Sequence, residues 1–199
     1  QGPRTYVERI EIRGNTRTRD YVIRREFDFG EGDPYNKTLI DRAERRLRNL
    51  NYFKTVKIAS RPGSSPDRVV LEVETIDQPT GDINFSGGHS TQDGWLGEVK
   101  VSERNLYGTG YDVRASAMFG QYAQGINLSA SEPYFLGTRV AAGVELFGRV
   151  SQPTSYQSYG TETYGGALVF GTPLTEQLGV QWRYSLYNQN ITLSPNGNG

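Results

Sequence analysis

Side chains that could carry catalysis or hold a metal are scarce in this sequence. The 199 residues contain no cysteine, which excludes disulfides, thiolate zinc sites, iron–sulfur clusters and a cysteine nucleophile. His89 is the single histidine, and its place after Gly87-Gly88 suits a surface residue better than a catalytic or metal-binding one. Glu98 and Glu103 are an odd number of residues apart, so they face opposite sides of one strand and cannot share acid–base work.

Phosphate chemistry has no better support. Gly108-Thr109-Gly110 lacks the third glycine and the strand-to-helix context of a dinucleotide-binding loop. We therefore predict no enzymatic activity, no catalytic residue, no metal and no cofactor.

Charge and glycine divide the chain into two unlike parts. Residues 1–77 carry 16 basic and 13 acidic side chains with 5 glycines, and residues 78–199 carry 6 basic and 9 acidic side chains with 19 glycines. This contrast predicts two domains, 1–77 and 78–199, joined through the polar Pro/Gly stretch Asp77–Gly81. The total is 22 basic and 22 acidic side chains, so there is no basic surplus for binding nucleic acid.

The first part has the pattern of a small α+β domain in the order β-α-α-β-β. Alternation predicts strands at 6–14, 53–59 and 69–76, and apolar stripes predict a short helix over 21–27 and a longer one from Asn36 to near Asn51. A sheet of this kind leaves at least one edge strand unpaired, and such an edge can accept an extended peptide. The alternative is an edge that is merely protected, by Lys54, Lys57 and Pro62.

The second part alternates apolar and polar residues between Gly/Pro/Asn/Asp turns. The pattern predicts about seven antiparallel strands of roughly 10 residues, and no stretch approaches the 18 apolar residues of a transmembrane helix. The polar face is rich in Gly, Ser, Gln and Asn and low in charge, which favours a membrane barrel over the alternatives, a soluble β-sandwich or a lipocalin-like barrel. Short turns at one end and longer loops at the other, notably 151–163, are also expected of such a barrel.

The strand count predicts a barrel that does not close. Single-chain bacterial barrels carry an even number of strands, eight or more, and about seven strands followed by the tail Ile191–Gly199 fall short of that. The chain also opens at Gln1 without a basic-then-apolar leader. We expect it to be a portion of a longer polypeptide that supplies the remaining strands.

Linked motifs along the chain resemble those of the BamA family of outer-membrane protein assembly factors, in which polypeptide-transport-associated (POTRA) domains precede a barrel. Three of them match the last POTRA domain: the opening strand and its Gly-Asn turn at 7–16, Arg24-Arg25-Glu26 followed by Glu31-Gly32, and the second helix running into Leu50-Asn51-Tyr52-Phe53, where the family often has Gly at the second position. Three more match the barrel: Thr80-Gly81 leading into Phe85–Ser90, the "N-L-x-G-x-G" turn at 105–110, and "E-P-Y-F" at 132–135. The resemblance covers nearly the whole chain.

The resemblance implies a central component of the machinery that folds and inserts β-barrel proteins into the bacterial outer membrane. Its partners would be unfolded outer-membrane protein clients, accessory assembly lipoproteins and outer-membrane lipid, with the barrel in the outer membrane and the POTRA domain in the periplasm. Carried over to this sequence, the first barrel strand is the seam that pairs with a client strand, with these candidates: Gly81, Ile83, Phe85, Gly87, Gly88 and Ser90. The candidates for the lipoprotein surface are Arg24, Arg25 and Glu31.

Other functions remain open on the sequence. A TamA-like translocation factor or a two-partner-secretion transporter shares the POTRA-barrel plan, and several upstream POTRA copies would favour assembly over secretion. A soluble β-rich adaptor is the alternative of another class, and it would stay monomeric without detergent.

Overall fold

The computed structural model describes residues 3–175 and 177–193, and they form two units. The first unit holds the residues up to Thr80 together with Asn105–Gly110, and the second holds Gly81–Arg104 and the residues from Tyr111 onward. In this described part of the chain, no helix is both long and apolar enough to cross a membrane.

The first unit contains a small sheet, whose described strands are β1 (Tyr6–Arg13), β2 (Phe53–Pro62) and β3 (Arg68–Asp77). Their order is β1-β3-β2, with β1 parallel and β2 antiparallel to β3. Helices α1 (Asp20–Arg24) and α2 (Lys37–Asn49) lie between β1 and β2 in the sequence. The predicted β-α-α-β-β order is therefore confirmed, and the parallel pair is possible because the two helices provide the long crossover that parallel strands require.

The core of this unit lies where the apolar stripes predict it. Asn36 caps α2 by accepting a hydrogen bond from the Thr38 amide at 3.0 Å. Only β3 contributes strictly alternating positions, because register shifts at Val7/Arg9 in β1 and at Phe53/Thr55 in β2 place residues three apart on the buried side. The core combines residues of both helices with apolar residues of β1, β2 and β3: Val7, Ile10, Val22, Ile23, Phe27, Ile40, Ala43, Leu47, Tyr52, Phe53, Val56, Leu71 and Val73.

The second unit is built on a large sheet, an antiparallel meander in which each described strand pairs with the next along the chain. Its strands are β4 (Gly81–Ser90), β5 (Gly94–Leu106), β6 (Tyr111–Gly120), β7 (Ala123–Glu132), β8 (Ala141–Ser151), β9 (Tyr159–Pro173) and β10 (Gly179–Leu193). The sheet thus has the predicted seven strands within the described residues, and β4 and β10 form its two ends. Because these strands form one continuous sheet rather than two packed sheets, the β-sandwich alternative is wrong.

The strand register separates an apolar from a polar face. Ile83 pairs with Val101 and Phe85 with Val99, while Asn84 pairs with Lys100. The same division continues to β10, where Phe170 pairs with Trp182 and Leu168 with Tyr184. The apolar face is exposed: Trp182 keeps 60% of its surface accessible and Phe85 keeps 78%.

Two details of the second part differ from the sequence prediction. The loop expected at 151–163 shortens to 152–158, because residues 159–163 pair with β10 and residues 161–163 pair with β8 as well. The expected contrast between short turns and long loops is also wrong, since the connections 91–93 and 121–122, at the same end of the sheet as 152–158, are the shortest. Pairing between neighbours extends a strand through polar residues that carry no hydrophobic signal. The tail at 194–199 lies outside the described residues.

Candidate interaction surfaces

Strand β4 is the end strand of the large sheet, and it contains all of the predicted seam residues. Its only strand partner in the described chain is β5, and all ten of its residues are exposed. The candidates fall on both faces: Ile83, Phe85 and Gly87 lie on the apolar face, and Gly88 and Ser90 on the polar face. An end strand presents unpaired backbone amides and carbonyls along its free side, so β4 can add another strand by main-chain hydrogen bonds.

Two glycines weaken the C-terminal half of strand β4. Gly87 pairs with Gly97 and Gly88 with Leu96, so one cross-strand position has no side-chain contact. The space for a side chain is nevertheless present. A Cβ at Gly88 would meet nothing within 4 Å, and a Cβ at Gly87 would lie 3.4 Å from the Leu96 carbonyl oxygen. The glycines are therefore not required by crowding.

Arg24 and Glu31, predicted to face an accessory lipoprotein, lie together beside strand β1. The Arg24 Nη1 and Glu31 Oε1 atoms are 3.6 Å apart, and both side chains are about half exposed. The pair also binds the free side of β1, where Glu31 accepts from the Ile10 amide at 3.2 Å and Arg24 donates to the Ile10 carbonyl at 3.2 Å. The two side chains thus satisfy the backbone of an edge residue while keeping an exposed charged surface.

Arg25, the third residue of that predicted surface, has different surroundings. Its guanidinium carbon lies 5.7 Å from the centre of the Tyr21 ring, a cation–π distance. A Cβ added at Gly110 would lie 2.5 Å from Arg25 Nη2, so this guanidinium packs against the turn at 105–110.

The edges of the small sheet are not equivalent. The segment after α1 covers β1: Val7 donates to the Asp33 carbonyl at 2.9 Å, and Gly32 donates to the Val7 carbonyl at 2.7 Å. Strand β2 is the other edge, and Lys54 and Lys57 are exposed along it. The sequence prediction of an unpaired edge is thus met at β2, which also carries the side chains expected of a protected edge.

Comparison with known proteins matches two segments of the chain to family models. Residues 5–75 match the family model of the POTRA domain, described as a surface antigen variable number repeat, and residues 105–198 match that of the Omp85 superfamily domain. The outer membrane protein assembly factor BamA of Neisseria meningitidis serogroup B is 33% identical over 180 residues, which are 88% of this chain and 23% of that protein. The chain belongs to the BamA family.

Solved structures share the fold of this chain. The crystal structure of BamA from Haemophilus ducreyi lacking POTRA domains 1–3 superposes with a TM-score of 0.79 at 25% identity, over 96% of this chain and 36% of that one. CdiB from Acinetobacter baumannii superposes with a TM-score of 0.63 at 11% identity, over 95% of this chain and 39% of that one, which shows a shared fold alone. The chain therefore spans about a quarter of the length of its curated BamA relative, as a POTRA domain followed by barrel strands.

The polar face of the barrel strands carries ion pairs. Arg114 on β6 pairs with Asp112 at 3.1 Å, and Arg183 on β10 pairs with Glu145 on β8 across the intervening strand β9. In outer-membrane barrels the polar face of the strands lines the interior, and paired charges suit such a polar lumen. Among the described residues, no group of three or more His, Cys, Asp or Glu side chains could hold a metal ion.

Sequence reasoning missed one set of residues. Thr18, Asp77 and Asn105 form a hydrogen-bonded chain within the first unit, although 28 residues separate Asp77 from Asn105 in the sequence. The available signal was the family's "N-L-x-G-x-G" turn, which begins at Asn105. That motif marked a turn but gave no indication that the turn folds with the POTRA domain.

Proposed function

We propose that the full-length protein folds and inserts β-barrel proteins into the bacterial outer membrane. The assembly-factor name of the N. meningitidis relative and the pairing of a POTRA domain with barrel strands support this function. The barrel strands lie in the outer membrane and the POTRA domain in the periplasm. The protein works without a cofactor and without enzymatic chemistry, because pairing of backbone and burial of apolar surface supply the free energy of client folding.

The observation that carries this proposal is the state of strand β4. It is one of the two end strands of the large sheet in the described chain, and unlike β10 it contains two consecutive glycines in its interior, Gly87 and Gly88. In lipid, unpaired backbone groups cost several kcal/mol each, so an incoming client strand is stabilised strongly by pairing with such an edge. Strand β4 is thus the seam at which a client strand forms its first hydrogen bonds.

The partners follow from the exposed surfaces. Unfolded outer-membrane protein clients pair with β4, and outer-membrane lipid contacts the apolar face. An accessory assembly lipoprotein binds the charged surface of Arg24 and Glu31, with Arg25 as the third candidate residue. No nucleic acid is involved.

A two-partner-secretion transporter is the alternative that shares this fold. Its support is the likeness to CdiB, which at 11% identity concerns the fold alone. The BamA relative is more similar in sequence, and its name favours assembly.

Valines at the two seam glycines test the proposal. In the double variant Gly87→Val/Gly88→Val both new Cβ atoms have room, and the β-branched side chains strengthen pairing of β4 with β5. Because strand preference spans about 1 kcal/mol per residue, we expect insertion of a model client into vesicles by the full-length protein to fall at least about fivefold.

The matched control is Gly148→Val/Gly171→Val. It also places one valine on each face of the sheet, and the nearest atoms would lie 3.7 and 3.6 Å from the new Cβ atoms. Both positions belong to strands with a neighbour on each side, so insertion should stay close to the unmodified level. Unchanged insertion in the seam variant would count against the role of β4.

A further inference from the structure

The β5–β6 turn, Asn105–Gly110, folds as part of the POTRA domain rather than with the strands it connects. Its backbone is fixed by the start of α1, where the Arg19 amide donates to the Gly108 carbonyl at 2.9 Å. The Tyr52 hydroxyl donates to the Gly110 carbonyl at 3.4 Å from the other side. Asn105 is 2% exposed, so the turn is anchored by a buried polar side chain.

Asn105 belongs to a hydrogen-bond relay with a defined direction. The Thr18 hydroxyl donates its single proton to Asp77 Oδ1 at 2.8 Å, so its oxygen must accept from Asn105 Nδ2, which lies 2.9 Å away. The other end of the amide is fixed as well, because Asn105 Oδ1 accepts from the Gly110 amide at 2.8 Å. Every position in the relay therefore requires a specific donor or acceptor.

The Asp77 carboxylate sets this direction. Its Oδ2 accepts from the Arg17 amide at 2.9 Å and from the Thr16 hydroxyl at 3.3 Å, and as a carboxylate it has no proton to donate. The end of β3 is thus connected through Thr18 to the turn.

We propose that the relay Asp77–Thr18–Asn105 is a lock that holds the β5–β6 turn as an integral piece of the POTRA domain. The chain leaves this domain at Thr80, which is 1% exposed, and returns to it at Asn105. Strand β4, the proposed seam, is the first strand of the β4–β5 hairpin. At both of its ends, this hairpin therefore continues directly into residues of the POTRA domain. The lock itself does not depend on the proposed function.

Gly108 provides independent support for a docked turn. Tyr107 and Gly108 have φ angles of 52° and 73°, and Leu136 and Gly137 in the β7–β8 connection have φ angles of 54° and 76°. In both turns the threonine amide after the glycine donates to a carbonyl three residues earlier. A Cβ at Gly108 would overlap the Arg17 carbonyl, whereas a Cβ at Gly137 would meet nothing within 4 Å.

Reversal of the relay tests the lock. In Asn105→Asp two carboxylates compete for the one Thr18 proton, so a buried acceptor loses its donor. In Asp77→Asn/Asn105→Asp, the new amide at 77 donates to Thr18, and Thr18 then donates to the carboxylate at 105. We expect amide hydrogen exchange at residues 16–22 and 105–110 of the full-length protein to accelerate about tenfold in the single variant. The double variant should return most of the way to the unmodified rate.

The paired glycine variants give a second, independent measurement. Gly108→Ala should accelerate exchange at residues 16–22 about as much as Asn105→Asp, and Gly137→Ala should leave that segment unchanged, although both carry the same backbone strain. Should Asn105→Asp fail to accumulate, recovery of the protein by the double variant supports the lock. Equal exchange in the two alanine variants, or no rescue by the double variant, would overturn it. Hydrogen exchange does not require insertion activity, so failure of the lock is distinguishable from failure of the proposed function.

Discussion

Asn51 ends helix α2 in a left-handed backbone conformation, with a φ angle of 59°. It follows the C-cap residue Leu50, and its carbonyl accepts a hydrogen bond from Gln78 Nε2 at 2.9 Å. Helices often end in this conformation, which glycine adopts most easily and asparagine tolerates. The backbone at this position thus favours glycine or asparagine over other residue types.

Substitution of Asn51 tests this explanation. Asn51→Ala should cost about 1 kcal/mol because alanine disfavours positive φ, and it should accelerate amide exchange in the last turn of α2. Asn51→Gly should exchange at close to the unmodified rate, since glycine removes the strain and gives up only chain entropy. Equal effects of alanine and glycine would show that the side chain, rather than the backbone conformation, matters here.

Individual surface residues are harder to predict than this cap. The sequence grouped Arg24, Arg25 and Glu31 because they are close in a family motif, and Arg24 and Glu31 do lie 3.6 Å apart. Arg25 packs against Tyr21 and Gly110. The contact with Gly110 joins residues 85 positions apart, and neither periodicity nor turn chemistry contains information about such a distance.

At the level of the element, an ion network joins all strands of the small sheet. Arg61 on β2 donates to Glu11 on β1 at 3.0 Å and to Glu72 on β3 at 2.7 Å. Glu11 and Glu72 are direct neighbours in the parallel pair, so Arg61 neutralises a repulsion between like charges. The hydrogen bond from Arg61 lowers the pKa of Glu11, and the hydrogen bond to Glu11 raises that of Arg61.

This network predicts that the small sheet weakens in acid. A carboxyl whose folded pKa is lowered stabilises the sheet above its ordinary pKa, and this contribution is lost as the pH falls through the folded pKa. Hydrogen exchange of the β1 and β3 amides, corrected for the intrinsic rate at each pH, should accelerate below about pH 4.5. Glu11→Gln should reduce that acceleration, and Asp41→Asn on α2 should not. An equal response of both variants would assign the acid sensitivity to other carboxyls.

The locations of the strands and helices could be predicted from the sequence. Alternation located the strands of both sheets because each has one apolar face, and an apolar stripe located α2 with Ile40, Ala43 and Leu47 buried. Strand ends were not predictable in the same way. Residues 159–163 are polar in pattern, yet all of them pair with β10 and 161–163 also pair with β8, because hydrogen bonding by neighbours, rather than hydropathy, decides where β9 begins.

At the scale of the whole molecule, the two parts bury their apolar residues differently. The POTRA domain encloses its apolar side chains in a core, and the large sheet leaves its apolar face uncovered over β4 to β10. An exposed apolar surface that follows every strand of a sheet requires an apolar environment, and acyl chains supply one in the outer membrane. On this argument, the apolar face contacts lipid and the face with Glu145 and Arg183 does not.

Tryptophan fluorescence tests this assignment within one strand. Trp182 lies on the apolar face of β10, and Tyr187, which pairs with Gly165, lies on the opposite face five residues later. In full-length protein with Trp182 as its only tryptophan, lipids brominated on their acyl chains should quench the emission strongly. In the matched protein with Trp182→Phe/Tyr187→Trp, the same lipids should quench it weakly, because the indole then faces the polar interior. Equal quenching at both positions would mean that the alternation of this sheet does not separate lipid from lumen.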